Sequence, residues 1–365
     1  MMPNGDGLLL LAKAPSPELP ARAAQGLEPR PEYAVLAEAL GARIISFNDL
    51  AREGVLVRCV AKVLGPLTAL AVTGVLRGRS APFVYVTGED IGMRVGALQR
   101  LLRRHARVVA VVHQIDTPKR RAIFRRLGHR PFRAIIVVGT EQRRIFVDEL
   151  GFPGDKVVFL HTWIDEHFWR PDHSASPDRA DASADAEVPA AGTYALAVGM
   201  ESRDYPTLQD AIASTELRVH VVGSGWSAGA GYGAASGIRT TDHLTVGSGY
   251  STPSLRDLYA GARFVVVPLH DVAYAAGVTA VLEGMAMAKA VVASDSRGVR
   301  DYLRDGRLGR VVPCGDPGAL RVALLGLWNA PDEASRCGQE NRAWLERTAT
   351  TDRYVAEVAA LLAGS

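Results

Sequence analysis

Short runs of Val, Ile, Leu and Ala recur along the chain, and between them lie longer stretches with apolar residues three and four apart. The runs predict strands at Leu8–Ala12, Arg43–Ser46, Phe83–Thr87, Val108–His113, Ala134–Val138 and Val157–Leu160, then at Tyr194–Val198, Arg218–Val222, His243–Val246, Phe264–Pro268 and Ala290–Ala293. The longer stretches predict helices at Glu32–Leu40, Gly92–Arg104, Glu141–Leu150, Ser254–Tyr259, Thr279–Ala288 and Thr351–Leu362. The apolar segment Val55–Leu76 reads as a core helix pair interrupted at Gly65-Pro66. Strands that are apolar throughout and alternate with helices belong to parallel sheets covered on both faces.

Residues 172–192 break the pattern. They are rich in Ala, Ser, Asp and Pro, lack periodicity and read as a linker or flexible insertion. The organisation expected is a first domain over 1–171, this linker, a second domain over 193–350, and a C-terminal helix over 351–365. The fold class is α/β, with two Rossmann-like, doubly wound parallel-sheet domains.

The segment Phe264–Pro313 carries the most chemistry. Strand, glycine turn and helix follow one another, with Gly277-Val278-Thr279 at the turn. A helix N-terminus presents unpaired backbone N–H groups and the positive end of its dipole, which together attract an anion. Glu283 lies about one turn further on, in a largely apolar stretch where an unpaired carboxylate is costly. A diphosphate held at the turn and a ribose held by Glu283 would be the anchor of a nucleotide sugar. The plainer reading makes Glu283 an exposed helix residue.

At these residues the chain resembles family 4 of the retaining, nucleotide-sugar-dependent glycosyltransferases (glycosyl transferases group 1). The stretch Leu282-Glu283-Gly284-Met285-Ala286-Met287-Ala288-Lys289-Ala290-Val291-Val292-Ala293-Ser294 is similar to the second half of the family's E-G-F-G-x-x-x-x-E-A-M-A-x-G-x-P-V-V-A-S block. Gly309–Pro313 followed by Gly315-Asp316-Pro317 resembles its later G-x-L-V-P-x-G-D-P, and Lys156–Pro171 its K-V-x-V-I-P-N-G-V-D. The resemblance implies the GT-B architecture, with the two domains facing a cleft and the last helix returning to the first domain. It implies that Glu283 contacts the donor ribose, that Arg203 stands for a cation holding the diphosphate, and that His113, at the end of a strand, contacts the transferred sugar. Gly223 and Gly225 would line the donor's base pocket. Three positions depart from the family: Ala275 replaces the first glutamate, Met200 replaces a second cation, and His161-Thr162-Trp163 replaces P-N-G.

The residues themselves leave other readings open. His113 also reads as a strand-end histidine bonded to a loop, and Arg203 as a solvated turn residue. Gly223-Ser224-Gly225 with Ala228 mimics a dinucleotide fingerprint, but the four glycines of residues 226–237 make a poor helix. Lost contacts at 200 and 275 leave room for a catalytically inactive binding protein, and GT-B folds also host nucleotide-sugar epimerases.

Composition narrows the setting. Apolar residues make up 48% and charged residues 22%, as in globular proteins, and no apolar run approaches a membrane span. Leu8–Ala12 has no basic residue before it, which predicts a first strand rather than a signal peptide. Three cysteines without metal-site spacing predict a reducing, cytoplasmic location. The net charge is only +3, yet the segment Arg94–Arg144 holds fourteen Lys/Arg against two acids. Within it, Lys119–Arg133 mixes arginines with Ile123, Phe124 and Leu127. That pattern suits either a solvated surface or a peripheral contact with an anionic membrane at its inner face. The expected function is transfer of a sugar from a nucleoside-diphosphate sugar, as co-substrate, to a hydroxyl of a lipid-linked, glycan or small-molecule acceptor. No metal, other cofactor or nucleic-acid partner is expected.

Overall fold

The structure, a computed structural model, describes residues 7–102, 108–172, 189–223, 240–303 and 308–363. Its described residues form two compact units. The first draws on residues 1–24, 30–161 and 351–365, the second on 25–29 and 162–350.

The first unit is built on a six-stranded, all-parallel sheet: β1 (Gly7–Leu10), β2 (Ala42–Ile45), β3 (Val84–Val86), β4 (Val108–Val112), β5 (Ala134–Val137) and β6 (Val157–Phe159), in the order β2-β1-β3-β4-β5-β6. The second unit repeats the design with β7 (Ala195–Val198), β8 (Val219–Val222), β9 (Leu244–Gly247), β10 (Val265–Val267), β11 (Val291–Ser294) and β12 (Arg310–Val312), in the order β12-β11-β10-β7-β8-β9. All eleven strands read from the sequence are present, within one or two residues of their expected ends. β12 is the one strand the sequence reading does not give; it opens on Arg310 and is only half-buried, so it lacks the apolar run of the others.

The central strands are buried over their whole length, as expected of strands with helices on both faces. Helix starts share one device. Thr117, Asp204, Ser251 and Asp316 each accept a hydrogen bond from the backbone N–H three residues on, and a proline stands in the first or second helical position. Such caps satisfy donors that a helix start leaves open, and the fixed φ of proline suits that position.

In both sheets the chain reverses its direction of travel across the strands, between β1 and β3 in the first and between β7 and β10 in the second. Ligands of open parallel sheets bind at the carboxyl ends of the strands on either side of such a reversal.

Three details differ from the sequence reading. Helices Val55–Leu64 and Pro66–Arg77 do break at Gly65, whose φ is 81°. Only the second is a core helix, however; the first buries Val57 and leaves most of its apolar residues outside. Residues 162–171 group with the second unit: the Ile164 N–H donates to the Ala349 carbonyl, and the Trp169 ring meets Tyr259 edge-on. The segment Glu141–Leu150 is not one α-helix, since its second half widens into a π-turn in which the Leu150 N–H donates to the Ile145 carbonyl.

The C-terminal helix Thr351–Ala363 packs within the first unit. Tyr354 and Tyr85 share a buried hydroxyl–hydroxyl hydrogen bond of 2.6 Å. Arg133 donates to the Leu361 and Leu362 carbonyls, placing a cation on the negative end of that helix.

Candidate functional site

In the second unit, β7 runs into Gly199, which has φ +97°. The positive φ alone favours glycine, and a Cβ there would stand 2.7 Å from Arg203 Nη2. That space lets the Arg203 side chain fold back. Its Nε and Nη2 donate to the Val198 carbonyl at 3.1 and 2.8 Å, and Nη1 donates to the Glu201 carbonyl at 2.9 Å. Arg203 is partly buried, and no carboxylate lies within ion-pair distance of it among the described residues. Burial pulls the guanidinium below its ordinary value, yet an arginine stays ionised at neutral pH. The result is a fixed cation at the end of β7, close enough to Glu283 to act on its carboxyl but in no ion pair among the described residues. Met200, at the position expected to carry a second cation, is half-buried and packs against the apolar core beside Gly223.

Across the reversal, β10 leads through residues 268–277 into helix Val278–Ala286. Gly277 precedes this helix with φ 82°, and a Cβ there would press on Val267 at 2.9 Å. Glycine therefore sets how closely the helix N-terminus approaches the strand. The N–H groups of Gly277, Thr279 and Ala280 have no acceptor among the described residues. Thr279 is exposed, whereas Val278 is buried in the core.

The loop before this helix is held from below. The Tyr274 hydroxyl bonds to Ser202 Oγ and Glu201 Oε1, and Ser296 Oγ bonds both backbone groups of Val272. A Cβ at Gly298 would sit 1.7 Å from the Tyr274 carbonyl oxygen. Gly298→Ala is therefore expected to displace the 271–277 loop and cost roughly 2–4 kcal/mol, since backbone cannot yield as a side chain does. Urea unfolding checks this, and a loss under ~0.5 kcal/mol would contradict the close packing described.

Glu283 is buried, not exposed, in the second turn of the same helix. Its Oε2 accepts from the Tyr259 hydroxyl at 2.7 Å. Among the described residues its other oxygen has no partner, and that oxygen is not sealed from solvent. Tyr259 itself lies in an apolar wall with Trp169 and Phe168. Burial pushes the Glu283 carboxyl up to about 7, against the opposing pull of the Tyr259 hydrogen bond and the Arg203 charge.

That shift has a sign. The unfolded chain, with a carboxyl near 4.5, loses its proton first, while the folded protein holds it to about pH 7. Stability contributed by the protonated form is fully present below pH 4.5, falls as pH rises to about 7, and then levels off. Over that window the loss is about 3 kcal/mol. Glu283→Gln is expected to remove this slope, measured as the difference between wild type and variant in urea unfolding at pH 5, 6 and 7.5. An unchanged difference across the three pH values would show that the carboxyl titrates normally.

Gly223 follows β8; its N–H donates to the Gly247 carbonyl, and a Cβ there would meet Met200 Sδ at 3.4 Å. It stands at the end of the strand beside β7. Gly225 lies outside the described residues.

His113 belongs to the first unit, at the carboxyl end of β4. Its N–H donates to Glu89 Oε2 at 3.0 Å, its carbonyl accepts from Gln142 Nε2 at 2.6 Å, and its ring Nε2 is 3.3 Å from the Thr87 carbonyl. With the proton on Nε2, the ring is fixed by the loop and Nδ1 is left as an acceptor. Arg120 closes this cluster, 3.5 Å from Glu89 and 2.8 Å from Gln114. The helix Pro118–Leu127 turns Phe124 and Leu127 into the core and leaves Ile123 half-buried.

The second unit thus brings Arg203, Gly277, Val278, Thr279 and Glu283 together, with Gly223 at the neighbouring strand end. Sequence reasoning missed Tyr259 and Tyr274. No spacing links Tyr259 or Tyr274 to the site, but Gly199 directly after a strand was a visible signal.

Residues 200–330 match the family model described as glycosyl transferases group 1. A protein of Bacillus subtilis (strain 168) bearing the name glycosyltransferase EpsD is 39% identical over 62 residues, a stretch that covers 17% of this chain and 16% of that protein. Among solved structures, Anabaena HepE in complex with UDP and glucose superposes with a TM-score of 0.68 at 14% identity, covering 99% of this chain and 100% of that one. Sucrose-phosphate synthase from Thermosynechococcus elongatus gives 0.69 at 12% identity, with 98% of each chain covered. WaaG, a glycosyltransferase involved in lipopolysaccharide biosynthesis, gives 0.63 at 13% identity, covering 98% of this chain and 100% of that one. The fold is GT-B.

Proposed function

We propose, for a chain that has the GT-B fold and a glycosyl transferases group 1 domain over residues 200–330, the transfer of a sugar from a nucleoside-diphosphate donor to a hydroxyl acceptor. One observation carries this reading. Arg203, a fixed cation with no carboxylate in ion-pair distance among the described residues, and the N-terminus of helix Val278–Ala286 follow the two strands that flank the sheet's reversal. A diphosphate would supply the missing negative charge. The free oxygen of Glu283 would accept from the ribose hydroxyls. Because HepE was captured with UDP and glucose, a UDP-sugar is the first donor to offer.

In the reaction the acceptor oxygen attacks the anomeric carbon and the bond from that carbon to the terminal phosphate oxygen breaks. The electron pair leaves with the nucleoside diphosphate, and the acceptor's proton passes to a phosphate oxygen on the same face. Front-side attack retains the anomeric configuration. Arg203 and the amides of Gly277, Thr279 and Ala280 stabilise the charge that grows on the leaving group, so no metal is needed. The free state of all three cysteines fits a cytoplasmic protein.

The test is turnover of a panel of nucleotide sugars with the product anomer read by NMR, in the presence of excess chelator. Retained configuration and undiminished rate are expected. An inverted product, or activity lost with EDTA and restored by manganese, would overturn the mechanism. Epimerised donor in the absence of acceptor would replace transfer with epimerisation.

A further inference from the structure

The first unit carries an apolar face that its own core does not use. In helix Val55–Leu64, Val57 is 4% exposed, while Val55, Leu56, Val63 and Leu64 are 67, 61, 79 and 63% exposed. Cys59 is exposed as well. At about 100° per residue, Val55, Leu56, Cys59 and Val63 share one stripe of the helix. Arg58 and Lys62 flank that stripe on one side, both exposed, and the helix contains no acid. Neither cation meets a carboxylate within ion-pair distance among the described residues. An apolar stripe edged by unpaired cations is the pattern of a helix lying in a lipid interface.

We infer that this helix docks the protein on an anionic lipid surface, with Val55, Leu56 and Val63 entering the acyl boundary and Arg58 and Lys62 meeting the headgroups. A second copy of the chain fits less well, because an antiparallel two-fold contact through the stripe would set Arg58 and Lys62 beside their like-charged copies. Among the described residues no helix is long and apolar enough to cross a membrane. The basic helix Pro118–Leu127 presents less apolar surface, though its Lys119, Arg125 and Arg126 are exposed. Its Phe124 and Leu127 are buried, and Arg120 and Arg121 pair with Glu89 and Glu149.

The contact requires neither donor nor acceptor, so it stands or falls apart from the transferase reading. The experiment is sedimentation of the full chain with vesicles of phosphatidylcholine plus phosphatidylglycerol, and of phosphatidylcholine alone, at low and high salt. Wild type is expected to bind the anionic vesicles and to be released by salt. Each cation near such a surface contributes about fivefold to partition. Arg58→Gln with Lys62→Gln should therefore lower binding roughly 25-fold. Leu56→Ser with Val63→Ser should abolish it, with the far-ultraviolet circular dichroism unchanged because both side chains are exposed.

A second readout uses Cys59. In a Cys314→Ser, Cys337→Ser background, a polarity-sensitive dye on Cys59 should shift to the blue with anionic vesicles. Three results would overturn the inference: wild type that ignores anionic vesicles at low salt, serine variants that bind as wild type does, or a dimer that these serine changes dissociate while no lipid binding is seen. Loss of binding on Arg125→Gln with Arg126→Gln, with the Val55–Leu64 variants unaffected, would move the contact to the other helix and equally sink it.

Discussion

Glu283→Ala is expected to weaken binding of UDP and of a UDP-sugar together, by roughly tenfold to a hundredfold, the loss of a charged hydrogen bond. The carboxyl is already placed: Tyr259 holds one oxygen at 2.7 Å in a buried wall, and the other oxygen faces no protein donor among the described residues. Because hydroxyl donors favour the ionised form, binding should lower the carboxyl from about 7 and release a proton. Affinity should then rise with pH up to about 7 and level off. Calorimetric titration at pH 6 and pH 8 reads both effects. An alanine variant that folds and binds with unchanged affinity would remove Glu283 from the donor site.

Arg203→Ala should act differently. The guanidinium is proposed to grip phosphate, so the variant should lose about 2–3 kcal/mol for UDP and the UDP-sugar and little for uridine. Substitution also vacates the hydrogen bonds to the Val198 and Glu201 carbonyls. Thermal unfolding without ligand separates that structural cost from the binding cost. Arg203→Lys keeps the charge but not the fork, and should recover only part of the affinity. Equal weakening toward uridine and UDP would argue against a phosphate contact.

Much of the architecture was legible in the sequence. Strands buried on both faces read as unbroken apolar runs, and Gly65-Pro66 ends one helix and begins another in both sequence and structure. What stayed hidden needs three dimensions. The exposure of Val55–Leu64 was invisible because the apolar run continues without change into the buried helix Pro66–Arg77, and only packing tells them apart. Glu283 was recognisable from its place after a glycine turn. Its hydroxyl partner Tyr259, 24 residues earlier, was not, because the two helices are joined by no periodicity. Arg203 was named for its position, but its fold-back onto Val198 depends on the missing Cβ of Gly199. The loss of charge at Met200 was visible, and the structure shows its consequence: an apolar filler where a second cation was expected.

Thermal unfolding with ligand reads the nucleoside-diphosphate site at the reversal of the second sheet without any substitution. The wild-type chain would be melted with UDP, with uridine and with no ligand, all in excess chelator. A ligand that binds only the folded state adds about 2.7 kcal/mol of stability at a hundred times its Kd. The account predicts a clear upward shift of Tm with UDP, little with uridine, and a UDP shift much reduced in Arg203→Ala. A panel of nucleoside diphosphates that leaves Tm unmoved at millimolar concentration would contradict it.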